Sequence, residues 1–147
     1  MLHALGSVAQ RVLAKLPEGK DTAVVIALSG NLGAGKTTFV QALGTALAIP
    51  DTIQSPTYVL MKVYDISYKQ FTKLVHIDAY RLNNAAEFAA LKPETFLSDP
   101  QTIVCIEWPE RVEGALPKPD IQIRFSSDPP QGEAGGATEE ERYIEVV

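Results

Sequence analysis

Four residues at fixed spacing do most to restrict what this chain can become: Gly30, Gly35, Lys36 and Thr37, with a further glycine, Gly33, between them. At ordinary residue frequencies the pattern should arise by chance in roughly one chain of this length in 200. Its surroundings narrow the odds further. Ala23 to Leu28 is a continuous apolar, β-branched run of the kind found in a strand buried on both faces. Thr37 to Ala48 reads as a helix that Pro50 terminates. Strand, glycine-rich loop and helix in that order form a phosphate-binding unit, the P-loop. The glycines let backbone N–H groups approach an anion with no Cβ in the way, and the helix adds its positive N-terminal end. In such a loop Asn31, Leu32, Gly33, Ala34, Gly35, Lys36, Thr37 and Thr38 surround the phosphates. Lys36 reaches the β- and γ-phosphates, and the Thr37 hydroxyl holds a magnesium ion. The sequence therefore predicts binding of ATP with Mg2+.

A second carboxylate for the metal or for the attacking water normally ends an apolar strand facing the loop. Two acids fit: Asp78 ends Leu74-Val75-His76-Ile77, and Glu107 ends Ile103-Val104-Cys105-Ile106. A strand-end acid is otherwise an ordinary solvated charge, and the P-loop is what makes both candidates for the site. His76 alternates with Val75 and Ile77, which predicts a packed or hydrogen-bonded histidine and not a ligand. Trp108 is either a packed aromatic or a contact to nucleotide or partner. Arg81 and Arg111 are ion-pair partners by default, with contact to phosphate as the alternative.

The remaining pattern fills out an α/β chain. Leu5, Val8, Ala9, Val12, Leu13 and Leu16 share one face of an N-terminal helix that should end at Pro17. Residues 57–66 and 71–77 read as strands around the polar segment Ser67 to Gln70, with a short helix expected over Ala85 to Leu91. Thr102 to Ile106 reads as a further buried strand. Ile121, Ile123 and Phe125 alternate with Gln122 and Arg124 as a half-buried strand does, and Arg142 to Val147 should pair with it. The Pro-, Gly- and Glu-rich residues 126–140 are expected to form a mobile loop. At 147 residues and 46% hydrophobic content, one domain spanning 1–147 is expected.

Charge and composition exclude several classes. The formal net charge is −5, and the excess lies in the last twenty residues, where six acids face only Arg142. The balanced body lacks the basic stripe that would grip DNA or RNA directly. No apolar run approaches the roughly 20 residues of a membrane span, and the N-terminus lacks the pattern of a signal peptide. With one cysteine, Cys105, no internal disulfide can form. These features predict a cytoplasmic protein.

Four segments, GNLGAGKTTF at 30–39, SPTYVL at 55–60, HIDAYRL at 76–82 and IEWPER at 106–111, together resemble the TsaE family. These are small bacterial ATPases required for making threonylcarbamoyladenosine in transfer RNA. The order and spacing also match, and the similarity runs from about residue 22 to 125. The resemblance implies a three-layer P-loop fold, with a mainly parallel central sheet flanked by helices. It also implies ATP hydrolysis, slow alone, that serves a partner complex. By carry-over, Lys36 contacts phosphate, Thr37 and Glu107 hold magnesium, and Asp78 lies beside the metal. Ser55, Pro56 and Thr57 match a switch-like loop sensitive to the γ-phosphate. The implied partners are TsaD and TsaB, the threonylcarbamoyl-transfer proteins, with transfer RNA reached through them. Two departures stand out. Asn31 replaces the usual aspartate, and Phe88 to Phe96 lacks the glycine common after the HIDxYR segment. A small-molecule P-loop kinase is the alternative. Such kinases usually carry an arginine-bearing lid, whereas this chain has five arginines and its 126–140 stretch has none.

Overall fold

The structure is a computed structural model, and it describes residues 2–30, 35–49, 61–82, 84–126 and 143–146. Expectations that fall on 31–34, 50–60 and 127–142 lie outside the described residues. They include the phosphate-loop residues Asn31, Leu32, Gly33 and Ala34, the switch-like Ser55, Pro56 and Thr57, and almost all of the loop expected at 126–140.

The expected apolar runs become the inner strands of one sheet. Strands β1 (Val24–Gly30), β3 (Phe71–Asp78), β4 (Thr102–Glu107) and β5 (Ile121–Ser126) pair in parallel, in the order β3-β4-β1-β5. Strand β2 (Met61–Tyr68) is added antiparallel beside β3, and β6 (Tyr143–Val146) antiparallel beside β5. The sheet is thus mainly parallel, with antiparallel edges. Every residue of β4 is buried, as befits a strand covered on both faces.

Two apolar clusters, one on each face, complete three layers. Helix α1 (Leu2–Ala14) sets Val8, Ala9, Val12 and Leu13 against Phe39, Val40 and Leu43 of α2 (Lys36–Ala46), over Ile26, Leu28 and Cys105. The other face packs Val25, Ala27, Val104 and Ile106 under Phe88 of α3 (Ala85–Ala89) and Phe96 of α4 (Glu94–Leu97). Lys20 and Asp120 close the sheet's far end at 2.8 Å, and the same carboxylate accepts the Val25 N–H. Among the described residues no helix is long and apolar enough to cross a membrane.

Two local departures from the expected pattern have physical causes. The turn expected over Ser67 to Gln70 shrinks to Lys69 and Gln70, because Tyr68 still pairs with Phe71 and half-buries its ring on the α1–α2 side. The glycine missing from Phe88 to Phe96 has a counterpart in Lys92, which turns between α3 and α4 at φ 54°. A non-glycine there costs roughly 1–2 kcal/mol. Two bonds fix the turn: the Lys92 N–H donates to the Ala89 carbonyl, and the Lys92 carbonyl accepts from the Thr95 hydroxyl at 2.8 Å. Helix α4 itself is four residues long, too short to show periodicity in the sequence.

Gly30, the first residue of the phosphate motif, is also demanded by the sheet. It lies at φ 141° opposite Phe125, and an added Cβ would stand 2.4 Å from the Phe125 carbonyl oxygen. That obstacle is backbone at the last pair of the parallel β1–β5 ladder and yields only if the two strand ends move apart. Gly30→Ala should therefore destabilise the protein by about 2–5 kcal/mol, a Tm lower by roughly 5–15 °C. Thermal unfolding without nucleotide checks this, and an unchanged Tm would show that β1 and β5 can separate there at little cost.

Candidate functional site

The parallel arrangement brings the carboxyl ends of β1, β3 and β4 to one edge of the sheet, where ligands of open α/β sheets bind. Helix α2 begins at that edge. Its N-cap is Gly35, in the left-handed region at φ 103°, and neither a capping side chain nor an acid in the first turn neutralises the helix end. Thr38 falls in the same first turn. The N–H groups of a helix start and the helix dipole favour an anion at this end.

Lys36 and Thr37 project from this end onto β1 and β4. The Lys36 ammonium donates to the Gly30 carbonyl at 2.6 Å and lies 4.3 Å from the centre of the Trp108 ring. Only 5% of the residue is exposed. Burial lowers its pKa below the ordinary lysine range, against the opposing pull of Glu107, Glu110 and Asp78. Thr37 Oγ1 donates to Glu107, at 3.2 Å from Oε1 and 3.4 Å from Oε2. Asp78 and Glu107 end adjacent strands in paired register, so both strand-end acids reach the same edge. Burial raises the Asp78 carboxyl above its usual range; the N–H of Tyr80 opposes this by donating at 3.0 Å, and Glu107 adds to the rise.

The side chains follow strand parity. Val75 and Ile77 face α3 and α4, whereas Leu74 and Cys105 face α1 and α2. His76 therefore falls on the face that carries Asp78 and Glu107. Its Nε2 lies 2.6 Å from Glu107 Oε2, and the ring is fully buried. The expectation of a hydrogen-bonded histidine is met, and its partner is the site carboxylate. Cys105 is buried beneath the same face, and burial pushes its thiol up, away from nucleophilic use.

Trp108 turns the chain back over Lys36. It sits at φ 61°, an uncommon conformation for a bulky residue, with its N–H bonded to the Leu28 carbonyl and Pro109 starting a single 3-10 turn, Pro109–Val112. The indole packs on Tyr80 at 5.1 Å between ring centres, and Arg111 lies over Tyr80 at 5.4 Å. So Arg111 is held by an aromatic face, and Tyr80 joins the site without any signal in the sequence beyond its place in HIDAYR. The Arg81 side chain lies outside the described residues.

Among the described residues no three His, Cys, Asp or Glu side chains form a protein-only metal cage. Magnesium is usually bound through one or two carboxylates together with substrate phosphates and water. The hard oxygens of Thr37 and Glu107 fit such an ion.

An α/β sheet whose carboxyl edge meets the start of a helix carrying Lys36 and Thr37, with Glu107 on the neighbouring strand and the glycine-rich motif of 30–37 in the sequence, defines a P-loop nucleotide-binding protein. The family model for the threonylcarbamoyl adenosine biosynthesis protein TsaE matches residues 2–134. Proteins named tRNA threonylcarbamoyladenosine biosynthesis protein TsaE are similar along much of their length. The one from Streptomyces coelicolor is 34% identical over 138 residues, covering 93% of this chain and 86% of that protein. The one from Borreliella burgdorferi is 38% identical over 104 residues, covering 70% and 69%. The one from Synechocystis is 39% identical over 114 residues, covering 76% and 68%. The crystal structure of YdiB from Bacillus subtilis shares the fold, with a TM-score of 0.63 at 24% identity over 88% of this chain and 74% of that one. The chain belongs to the TsaE family.

Proposed function

We propose that this protein is a cytoplasmic, magnesium-dependent ATPase acting in the formation of threonylcarbamoyladenosine in transfer RNA. On this reading it serves the threonylcarbamoyl-transfer proteins TsaD and TsaB, and touches transfer RNA only through them. The observation that carries the chemistry is the contact between Thr37 and Glu107 at 3.2 Å beside the buried Lys36 ammonium. It joins the start of α2 to the end of β4, as a magnesium site between a P-loop hydroxyl and a strand-end acid requires.

Each residue has a role. Lys36 exchanges its bond to Gly30 for the β- and γ-phosphate oxygens. Thr37 and Glu107 hold the ion, which when bound offsets the charge of the phosphates. Asp78 stands beside them to orient the ion's water or the attacking one. The raised Asp78 carboxyl is kept in place by the Tyr80 N–H. Phosphoryl transfer depends on positioning and charge, so a site completed by partners turns over slowly by itself. Trp108 lies against Lys36 and packs on Tyr80, which the exposed Arg111 covers, so this stack is where a contact to nucleotide or partner falls.

ATP hydrolysis with magnesium, first alone and then with TsaD and TsaB added, tests the reading. A low rate that rises several-fold on addition is the expected result. Nucleotide binding without stimulation would remove the partner assignment, and absence of binding would remove the ATPase reading as a whole.

A further inference from the structure

Glu107 has to present an oxygen toward Thr37, yet a carboxylate on a strand end can rotate about its own axis. His76 removes that freedom. Its Nε2 meets Glu107 Oε2 at 2.6 Å, with 0% exposure on the histidine and 3% on the glutamate. The two residues sit on neighbouring parallel strands: His76 pairs with Cys105, two residues before Glu107. The imidazole therefore approaches the carboxylate from below the site, on the side away from the sheet's edge. The other oxygen, Oε1, is the one nearer the Thr37 hydroxyl, at 3.2 Å against 3.4 Å.

The carboxylate decides which of the two groups donates. His76 Nδ1 is buried and has no hydrogen-bond partner among the described residues. An ionised carboxylate, the form that holds a cation, accepts hydrogen bonds and donates none. The proton is accordingly placed on Nε2, where Glu107 accepts it.

We propose that His76 is a positioning residue of the magnesium site: its Nε2–H occupies Glu107 Oε2 and so turns Oε1 toward Thr37 and the cation. The inference rests on the reading of Glu107 as a magnesium ligand. Outer partners of this kind commonly change metal affinity about 10–100-fold when removed.

The test compares four proteins: wild type, His76→Phe, His76→Gln and His76→Asn. Phenylalanine keeps the ring's size without a donor. The Gln side-chain nitrogen reaches the place of Nε2, and that of Asn reaches only the place of Nδ1. Trp108 is the one tryptophan of the chain and lies against Lys36, so its fluorescence reports ATP binding. ATP is titrated in EDTA, and the magnesium midpoint is then measured at fixed ATP. In EDTA all four proteins should bind ATP within about twofold of one another, since the metal plays no part. The magnesium midpoint should rise roughly 10–100-fold in His76→Phe and His76→Asn and stay within about threefold in His76→Gln. A wild-type midpoint in His76→Phe, or a His76→Gln as impaired as His76→Asn, overturns the positioning role. If His76→Phe does not fold, the comparison of Gln with Asn decides by itself. A wild type whose ATP binding ignores magnesium would instead sink the metal reading of Glu107, and this inference with it.

Discussion

Alanine in place of Lys36 should weaken ATP binding by about 100- to 1000-fold, because truncating one partner of a buried charge pair costs roughly 3–4 kcal/mol. In the free protein the ammonium is already desolvated, and the Gly30 carbonyl and the Trp108 ring are its stand-in partners. Phosphate oxygens replace them with full negative charge, so the lysine is spent on the ligand and not on the fold. A pH signature accompanies the loss. Burial lowers the Lys36 pKa in the free protein. Binding requires the protonated form, so wild-type affinity should be flat while the ammonium is complete and fall as pH rises through the lowered value. The alanine variant has no such proton to lose, and that alkaline limb should vanish from its profile. Calorimetry is the suitable assay, since removing Lys36 also changes the surroundings of Trp108. A variant whose Kd lay within about threefold of wild type would show that Lys36 is not the phosphate ligand.

What the sequence made visible here follows from how far each feature depends on contacts distant along the chain. The P-loop unit is local: an apolar run, a glycine-rich loop and a helix in series identify themselves, and β1 and α2 lie where the residue pattern places them. The ends of β3 and β4 were equally plain, because the buried runs Leu74 to Ile77 and Ile103 to Ile106 each stop at an acid, Asp78 in one and Glu107 in the other. That those two acids stand opposite each other was not legible. Parallel register is set by crossovers and by packing of α3 and α4, none of which a single strand encodes. His76 shows the same limit from the other side. Alternation correctly sets its side chain apart from Val75 and Ile77, but which face holds α2 with Lys36 and Thr37 emerges only when α1 and α2 have packed. Trp108 and Lys92 adopt left-handed backbone without glycine, so the residues themselves carry no turn signal, and tertiary contacts or local hydrogen bonds hold them there.

Glutamine at position 107 should leave ATP binding without metal intact and cut magnesium-dependent turnover by about 100-fold or more. The substitution keeps the size of a side chain that is 97% buried, since 3% is exposed, and changes only charge and one set of lone pairs. Those are what the site uses. His76 donates to Oε2, so the amide must turn its oxygen to the imidazole and its NH2 toward Thr37. A donor then points where a cation needs an acceptor, and the negative charge that attracts the ion is gone. The magnesium midpoint should rise together with the fall in rate, which separates a metal defect from a loss of fold. Affinity for ATP in EDTA has reason to improve slightly, because one negative charge near the phosphates has been removed. Turnover at limiting magnesium, measured with the partner proteins present, is the measurement that decides. A rate within about twofold of wild type would place Glu107 outside the metal site and would leave Asp78, its register partner, as the strand-end acid to test next.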